Sequence, residues 1–240
     1  MSDAATGGAA GRAAPPRPAP APAPPSAAPG VLGVEDVRDV PGSWEVTGST
    51  REFEGRIFAV RRDAVRMPSG DTTEIVHRDV IEHPGSVGIL AVDGDDRVLL
   101  LRQYRHAAGR LLWEGPAGLR DVDGEPLVEL AGRELLEEAG YRAGRWDVLV
   151  DVLPSPGMTD ERVRIFLARD LTEVPAEEID FERVHEEADL PIVWVPLDEA
   201  VRKVLAGEIR NMIAVTGVLA LHAARAGGYR GLRPADAPEG

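Results

Sequence analysis

Three glutamates, Glu134, Glu137 and Glu138, lie near the end of the run GLRDVDGEPLVELAGRELLEEAGY at residues 118–141. Val128, Ala131, Leu135 and Ala139 recur through it at helical spacing, which predicts an amphipathic helix from Glu125 to Ala139. Gly140 is placed to end that helix in the left-handed conformation. On such a helix, residues three and four apart are neighbours, so the three carboxylates share one face. Like charges at this spacing cost roughly 0.2–0.5 kcal/mol per pair. No Lys or Arg follows three or four positions later within the helix, because Gly140, Tyr141 and Arg142 lie at or beyond its end. A divalent cation would convert the repulsion into ligation, and hard carboxylate oxygens suit Mg2+ or Mn2+.

The rest of the composition narrows the partners. The net charge of −14 disfavours nucleic acid and anionic membranes as default ligands. An anionic substrate would need metal and local arginines to approach. There are no cysteines, which excludes disulfides, thiolate metal sites and cysteine nucleophiles. No apolar run approaches the roughly 18 residues that span a bilayer. The amino-terminal alanines are interrupted by Gly and Pro, unlike the apolar core of a signal peptide. A cytoplasmic location is the expectation.

Residues 1–40 form an Ala/Pro-rich tail whose PPRPAPAPAPP stretch (15–25) cannot build a core. Its expected state is disordered or extended. Residues 41–83 carry β-branched, alternating segments separated by MPSGD and HPG turns, and are expected to form an antiparallel β subdomain. Residues 84–226 contain apolar strands (SVGILAV, RVLLLRQYR, LLWEG, WDVLVDVL, VRIFLARDL, PIVWVPL), the glutamate helix, and two later helices in LDEAVRKVLAG and IRNMIAVTGVLALHAARA. Residues 227–240 are Gly/Pro-rich and are expected to be flexible. The expected fold class is α/β, a mixed sheet flanked by helices.

The 118–141 run resembles the Nudix box: Gly, five residues, Glu, seven residues, then Arg-Glu-apolar-x-Glu-Glu-x-Gly-apolar. Gly118, Glu125, Arg133, Glu134, Leu135, Glu137, Glu138 and Gly140 match. Two positions depart. Six residues rather than five separate Gly118 from Glu125, and Tyr141 replaces an aliphatic residue. The extra residue precedes the helix and leaves its carboxylate face intact. The resemblance implies a Nudix fold, a mixed-sheet α/β/α sandwich, and hydrolysis of a nucleoside diphosphate linked to another moiety. It implies Glu134, Glu137 and Glu138 as metal ligands, with the backbone carbonyl of Ala117, and Arg133 as the residue that orients the glutamates.

Outside the box the chain is similar to the ADP-ribose pyrophosphatase branch of that family. RQYRH (102–106), WEGPAG (113–118) and the box occur in the branch's order; Pro156 lies fifteen residues past Tyr141; and HEEAD (185–189) precedes the strand PIVWV. The likeness implies a catalytic base in HEEAD, Glu186 with Glu187 as its alternate. Arg105 and Arg78 are candidates for the diphosphate, since guanidinium pairs bidentately with phosphate. Leu119, Ser155 and Glu161 are further substrate contacts, Glu161 toward a ribose. The branch also implies a homodimer with exchanged amino-terminal strands. The activity implied is Mg2+- or Mn2+-dependent hydrolysis of ADP-ribose to AMP and ribose 5-phosphate. The alternatives are another nucleoside diphosphate sugar or a dinucleotide as substrate, or a Nudix-fold ligand sensor without turnover, which the complete glutamate set argues against.

Overall fold

The structure is a computed structural model, and it describes residues 33–34, 37–179, 181 and 190–239. The chain divides into two compact units, Met1–Thr50 with Arg62–Arg78, and Arg51–Arg61 with Asp79–Gly240.

Three strands in sequence order, β1 (Glu45–Glu54), β2 (Ala59–Ser69) and β3 (Thr72–Glu82), form one antiparallel sheet as the segments' alternation predicts. Gly70, at φ 59°, takes the left-handed turn between β2 and β3. Within the first unit, Ser49 Oγ donates to Asp63 Oδ1 at 2.6 Å and Arg66 pairs with Glu45 at 2.8 Å. The sheet buries little: every β1 residue is exposed.

The second unit is built on apolar strands. Strands β4 (Ser86–Ala91), β5 (Arg97–Arg105), β6 (Arg110–Glu114), β7 (Ala117–Leu119), β8 (Tyr141–Val152), β9 (Val163–Glu173), β10 (Ile192–Pro196) and β11 (Arg233–Pro234) fall into two sheets. One has the order β11-β8-β9-β4-β7 and the other β10-β5-β6. β4 runs parallel to β9, while β7, β8 and β11 pair antiparallel with their neighbours, so the larger sheet is mixed. Val87–Ala91 of β4 and Ile165–Ala168 of β9 are continuously apolar because both faces are covered there. Val87, Ile89, Phe166 and Ala168 belong to the core beneath helix α1 (Leu127–Ala139). Leu90, Ile165 and Leu167 belong to the core on the other side, beneath α2 (Leu197–Leu205) and α3 (Met212–Ala226). This is the expected α/β/α sandwich.

Three boundaries differ from the sequence expectation. α1 starts at Leu127, not Glu125, because Pro126 keeps an extended ψ of 136° and serves as its cap. α3 starts at Met212, where the Asn211 side chain accepts a bond from Ala214 N at 3.1 Å. The stretch 227–240, expected to be flexible, places Arg233 and Pro234 in register with Val148 and Asp147 of β8. Its Gly/Pro content masked partners that lie far away in the chain. No helix among the described residues is long and apolar enough to cross a membrane.

Candidate active site

Helix α1 presents its carboxylates toward β7, and two glycine-dependent approaches bring them there. A Cβ on Gly118 would lie 2.2 Å from Glu134 Oε1, so only glycine lets the strand pass this close to that carboxylate. Gly115 runs equally close to backbone: its Cβ would meet the carbonyl oxygen of Ile89 at 2.3 Å. Glu138 is 6% exposed and accepts the backbone N–H of Ala117 at 2.9 Å. Within a strand, one residue's N–H and C=O point to the same side. The Ala117 carbonyl therefore lies on the Glu138 side of β7, away from β4.

Arg133 supplies the positive charge that the sequence spacing lacked. Its Nη1 donates to Glu134 Oε1 at 3.0 Å and to Glu137 Oε2 at 3.3 Å, while Nε reaches Glu125 Oε1 at 3.3 Å. Partial burial works against the charge on Arg133, but bonding to Glu125 and the charges of Glu134 and Glu137 outweigh it and raise its pKa above the ordinary arginine value.

Among the described residues, no three His, Asp or Glu side chains converge as a preformed cation cluster. The cause is visible in the bonds above: Arg133 draws Glu134 and Glu137 to itself, and Ala117 N–H draws Glu138. The donor set nevertheless fits a hard divalent ion. It consists only of carboxylates and one outward carbonyl, on a helix and strand held against each other through Gly118.

Other predicted residues fall at identifiable places. Arg105, at the end of β5, makes a two-pronged pair with Glu114 of β6, Nε to Oε1 at 3.0 Å and Nη2 to Oε2 at 2.6 Å. Glu114 is 1% exposed. It was missing from the sequence candidates, and its signal was a lone acid in the apolar strand LLWEG. Leu119 is in register with Ser86 of β4, and Ser86 Oγ contacts Glu161 Oε1 at 3.5 Å. Leu119 and Glu161 thus flank the same strand end. The His83 Nδ1 also approaches Glu161, at 3.7 Å, and accepts the Gly85 N–H at 3.1 Å. Ser155 begins a turn in which its carbonyl accepts Met158 N and Thr159 N, and the loop is clipped to β3 by Ile81 N to Met158 O at 2.8 Å. Arg78 lies on β3 in the first unit, where its guanidinium contacts its neighbour's carbonyl, His77 O, at 2.9 Å, and Met67 Sδ. Glu186 and Glu187 lie outside the described residues. Two cavities among the described residues, about 480 and 280 Å3, are lined around Trp113, Glu208 and the α2–α3 turn, and include none of these residues.

The model of the NUDIX domain family matches residues 82–215. An ADP-ribose pyrophosphatase of Mycobacterium tuberculosis is 50% identical over 80% of this chain and 89% of its own length. An ADP-ribose pyrophosphatase of Bacillus subtilis is 31% identical over 65% of this chain and 80% of its own. The fold is shared with a solved ADP compounds hydrolase at a TM-score of 0.62 and 22% identity, covering 80% of this chain and all of that one. With the box assembled on α1 and the family model spanning more than half its length, the chain belongs to the Nudix family.

Proposed function

We propose that this Nudix hydrolase cleaves the diphosphate of ADP-ribose, giving AMP and ribose 5-phosphate, with Mg2+ or Mn2+ as its cation. The observation that carries the reading is the complete carboxylate face of α1 held against β7, in a chain half identical to an ADP-ribose pyrophosphatase. Glu134, Glu137, Glu138 and the Ala117 carbonyl would hold the ion, which when bound would offset the charge of the diphosphate and lower the pKa of a water. Arg133 aims Glu134 and Glu137 through its hydrogen bonds, and the Ala117 N–H fixes Glu138. Arg105, pre-oriented by buried Glu114, meets the diphosphate. Leu119, Ser155 and Glu161 line the sugar side. Glu186, or its neighbour Glu187, takes the proton of the attacking water. The water oxygen bonds to one phosphorus as that phosphorus releases the bridging oxygen, so the two monophosphates share the original atoms plus one water.

The same reading assigns residues 41–83 to an exchanged β element of a homodimer, with Arg78 reaching the neighbouring copy's substrate. Exposed Val46, Phe53 and Ile75 support it, because apolar side chains on an open sheet are stable when covered. Residues 84–226 are then the hydrolase domain, residues 1–40 a spacer, and the location cytoplasmic.

The decisive measurement is AMP release from a panel of ADP-ribose, other nucleoside diphosphate sugars and dinucleotides, with the cation removed and restored. ADP-ribose should rank first by kcat/KM, activity should vanish with chelator, and Glu138→Gln should lower kcat at least about 100-fold. A different preferred substrate would move the assignment to that nucleotide. Turnover by Glu138→Gln equal to wild type would sink the metal assignment.

A further inference from the structure

Residues 233–239 run along the same face of the sheet as α1, and they end at Arg120, two residues past Gly118. The register fixes this. Gly118 of β7 is opposite Val87 of β4, Val87 is opposite Arg164 of β9, and Arg164 is opposite Asp151 of β8. Side chains in one such row point to one face. Val87 packs with Leu130, Ala131 and Leu135 of α1, so the whole row faces that helix.

Arg164 is 3% exposed, which requires an acceptor for each of its N–H groups. Asp151 takes Nε at 2.8 Å and Nη2 at 2.9 Å. Two further donors go to backbone: Nη1 to Ala237 O at 2.6 Å and Nη2 to Pro238 O at 3.1 Å. Arg233 adds a second cation on Asp151 at 2.9 Å. Ala235 and Ala237 pack on the core beneath α1. From this anchor Glu239 reaches Arg120 Nη1 at 3.1 Å. Arg120 is itself fixed at two points. Its N–H donates to Gly85 O at 3.1 Å, and its Cδ lies 3.0 Å from where a Gly85 Cβ would be.

We propose that residues 233–239 form a strap that positions the end of β7 against α1, with Arg164 as its anchor and Glu239 as the positioning residue that acts through Arg120. Arg120 is two residues from Gly118, which abuts Glu134, and three from Ala117, which holds Glu138. A displacement of about 1 Å at this strand end would misplace both carboxylates, and errors of that size are costly in a preorganised site. The catalytic consequence rests on the hydrolase reading above; the positioning does not.

The test uses the full chain with Glu239→Gln, which leaves the acceptors of Arg164 in place and so spares the fold. Three quantities are read: amide exchange at residues 117–121, the dissociation constant for Mn2+ alone, and kcat and KM for ADP-ribose. The expected result is exchange about fivefold faster at residues 117–121 and unchanged in β8 and β9, the size of one half-buried ion pair. Mn2+ should bind about three- to fivefold more weakly, and kcat should fall with KM nearly constant. The reversed pair, Arg120→Glu with Glu239→Arg, should restore all three. Unchanged exchange and Mn2+ affinity in Glu239→Gln, or no restoration by the reversed pair, would overturn the strap. If exchange and Mn2+ binding shift as expected but wild type releases no AMP, the substrate assignment fails and the strap stands.

Discussion

At the scale of single residues, the charges that stood out in the sequence are balanced by one arginine inside the motif and by one backbone N–H outside the helix. The spacing of Glu134, Glu137 and Glu138 was legible because all three sit on one helix, where geometry follows from counting. The Arg105–Glu114 pair was not, since nothing in RQYRH shows that its last arginine turns back onto a buried acid. That pair changes how the diphosphate role of Arg105 must be tested. Arg105→Ala leaves the Glu114 carboxylate buried without its cation, and breaking such a pair from one side costs several kcal/mol. Because Arg105 is 44% exposed, water recovers part of this. The expected loss in urea unfolding is about 2 kcal/mol. Arg105→Leu with Glu114→Leu should recover most of it, since two apolar residues leave no orphaned charge. If the double variant is as unstable as Arg105→Ala, the buried carboxylate is not the cause. Comparing kcat/KM between wild type and the double variant then isolates the phosphate contact from stability.

At the scale of elements, long segments were readable and short ones were not. β3, β4, β5 and β9 follow their apolar or alternating patterns within about two residues, and α1 ends at Gly140 as the left-handed cap predicts, with φ 77°. β7 and β11, of three and two residues, carry no periodicity to read. They exist because neighbouring strands offer free edges, which is a tertiary fact. Yet β7 carries Ala117 and Gly118, and β11 begins the proposed strap, so these unreadable pieces complete the surroundings of the readable helix. The other face depends on close approach as well. A Cβ on Gly217 of α3 would lie 2.2 Å from Leu90 Cδ2 and 2.8 Å from Leu90 Cγ. Gly217→Ala gains helix propensity of about 1 kcal/mol but pushes α3 away from β4 in a core that has no room. Overpacking of this kind costs about 1–3 kcal/mol, so the net change is a loss of up to about 2 kcal/mol. It should shift the urea midpoint down without altering the slope. A stabilised Gly217→Ala protein would show that Leu90 changes rotamer freely and that the contact does not set the helix position.

For the whole molecule, the anchor of the strap gives a pH dependence whose direction can be worked out. Burial alone would raise the Asp151 pKa, but hydrogen bonds from Arg164 and Arg233 outweigh it and hold the carboxyl below its ordinary value. Its folded pKa therefore lies below the unfolded value of about 3.9. A depressed carboxyl contributes stability that is fully present above the unfolded pKa and is lost as pH falls through the folded one. The chain also carries a net charge of −14 at neutral pH, so acid relieves general self-repulsion and acts in the opposite direction on total stability. Comparison with Asp151→Asn removes that background, because both proteins share it to within one charge. Between about pH 7 and pH 5 the difference in unfolding free energy between the two proteins should be constant. Below about pH 4 it should narrow, as Asp151 takes up a proton and Arg164 loses its counter-charge in wild type as well. Urea unfolding at a series of pH values from 7 to 3 reads this directly. A difference that stays constant down to pH 3, or that widens in acid, would mean that Asp151 is not the charge on which the Arg164 anchor depends.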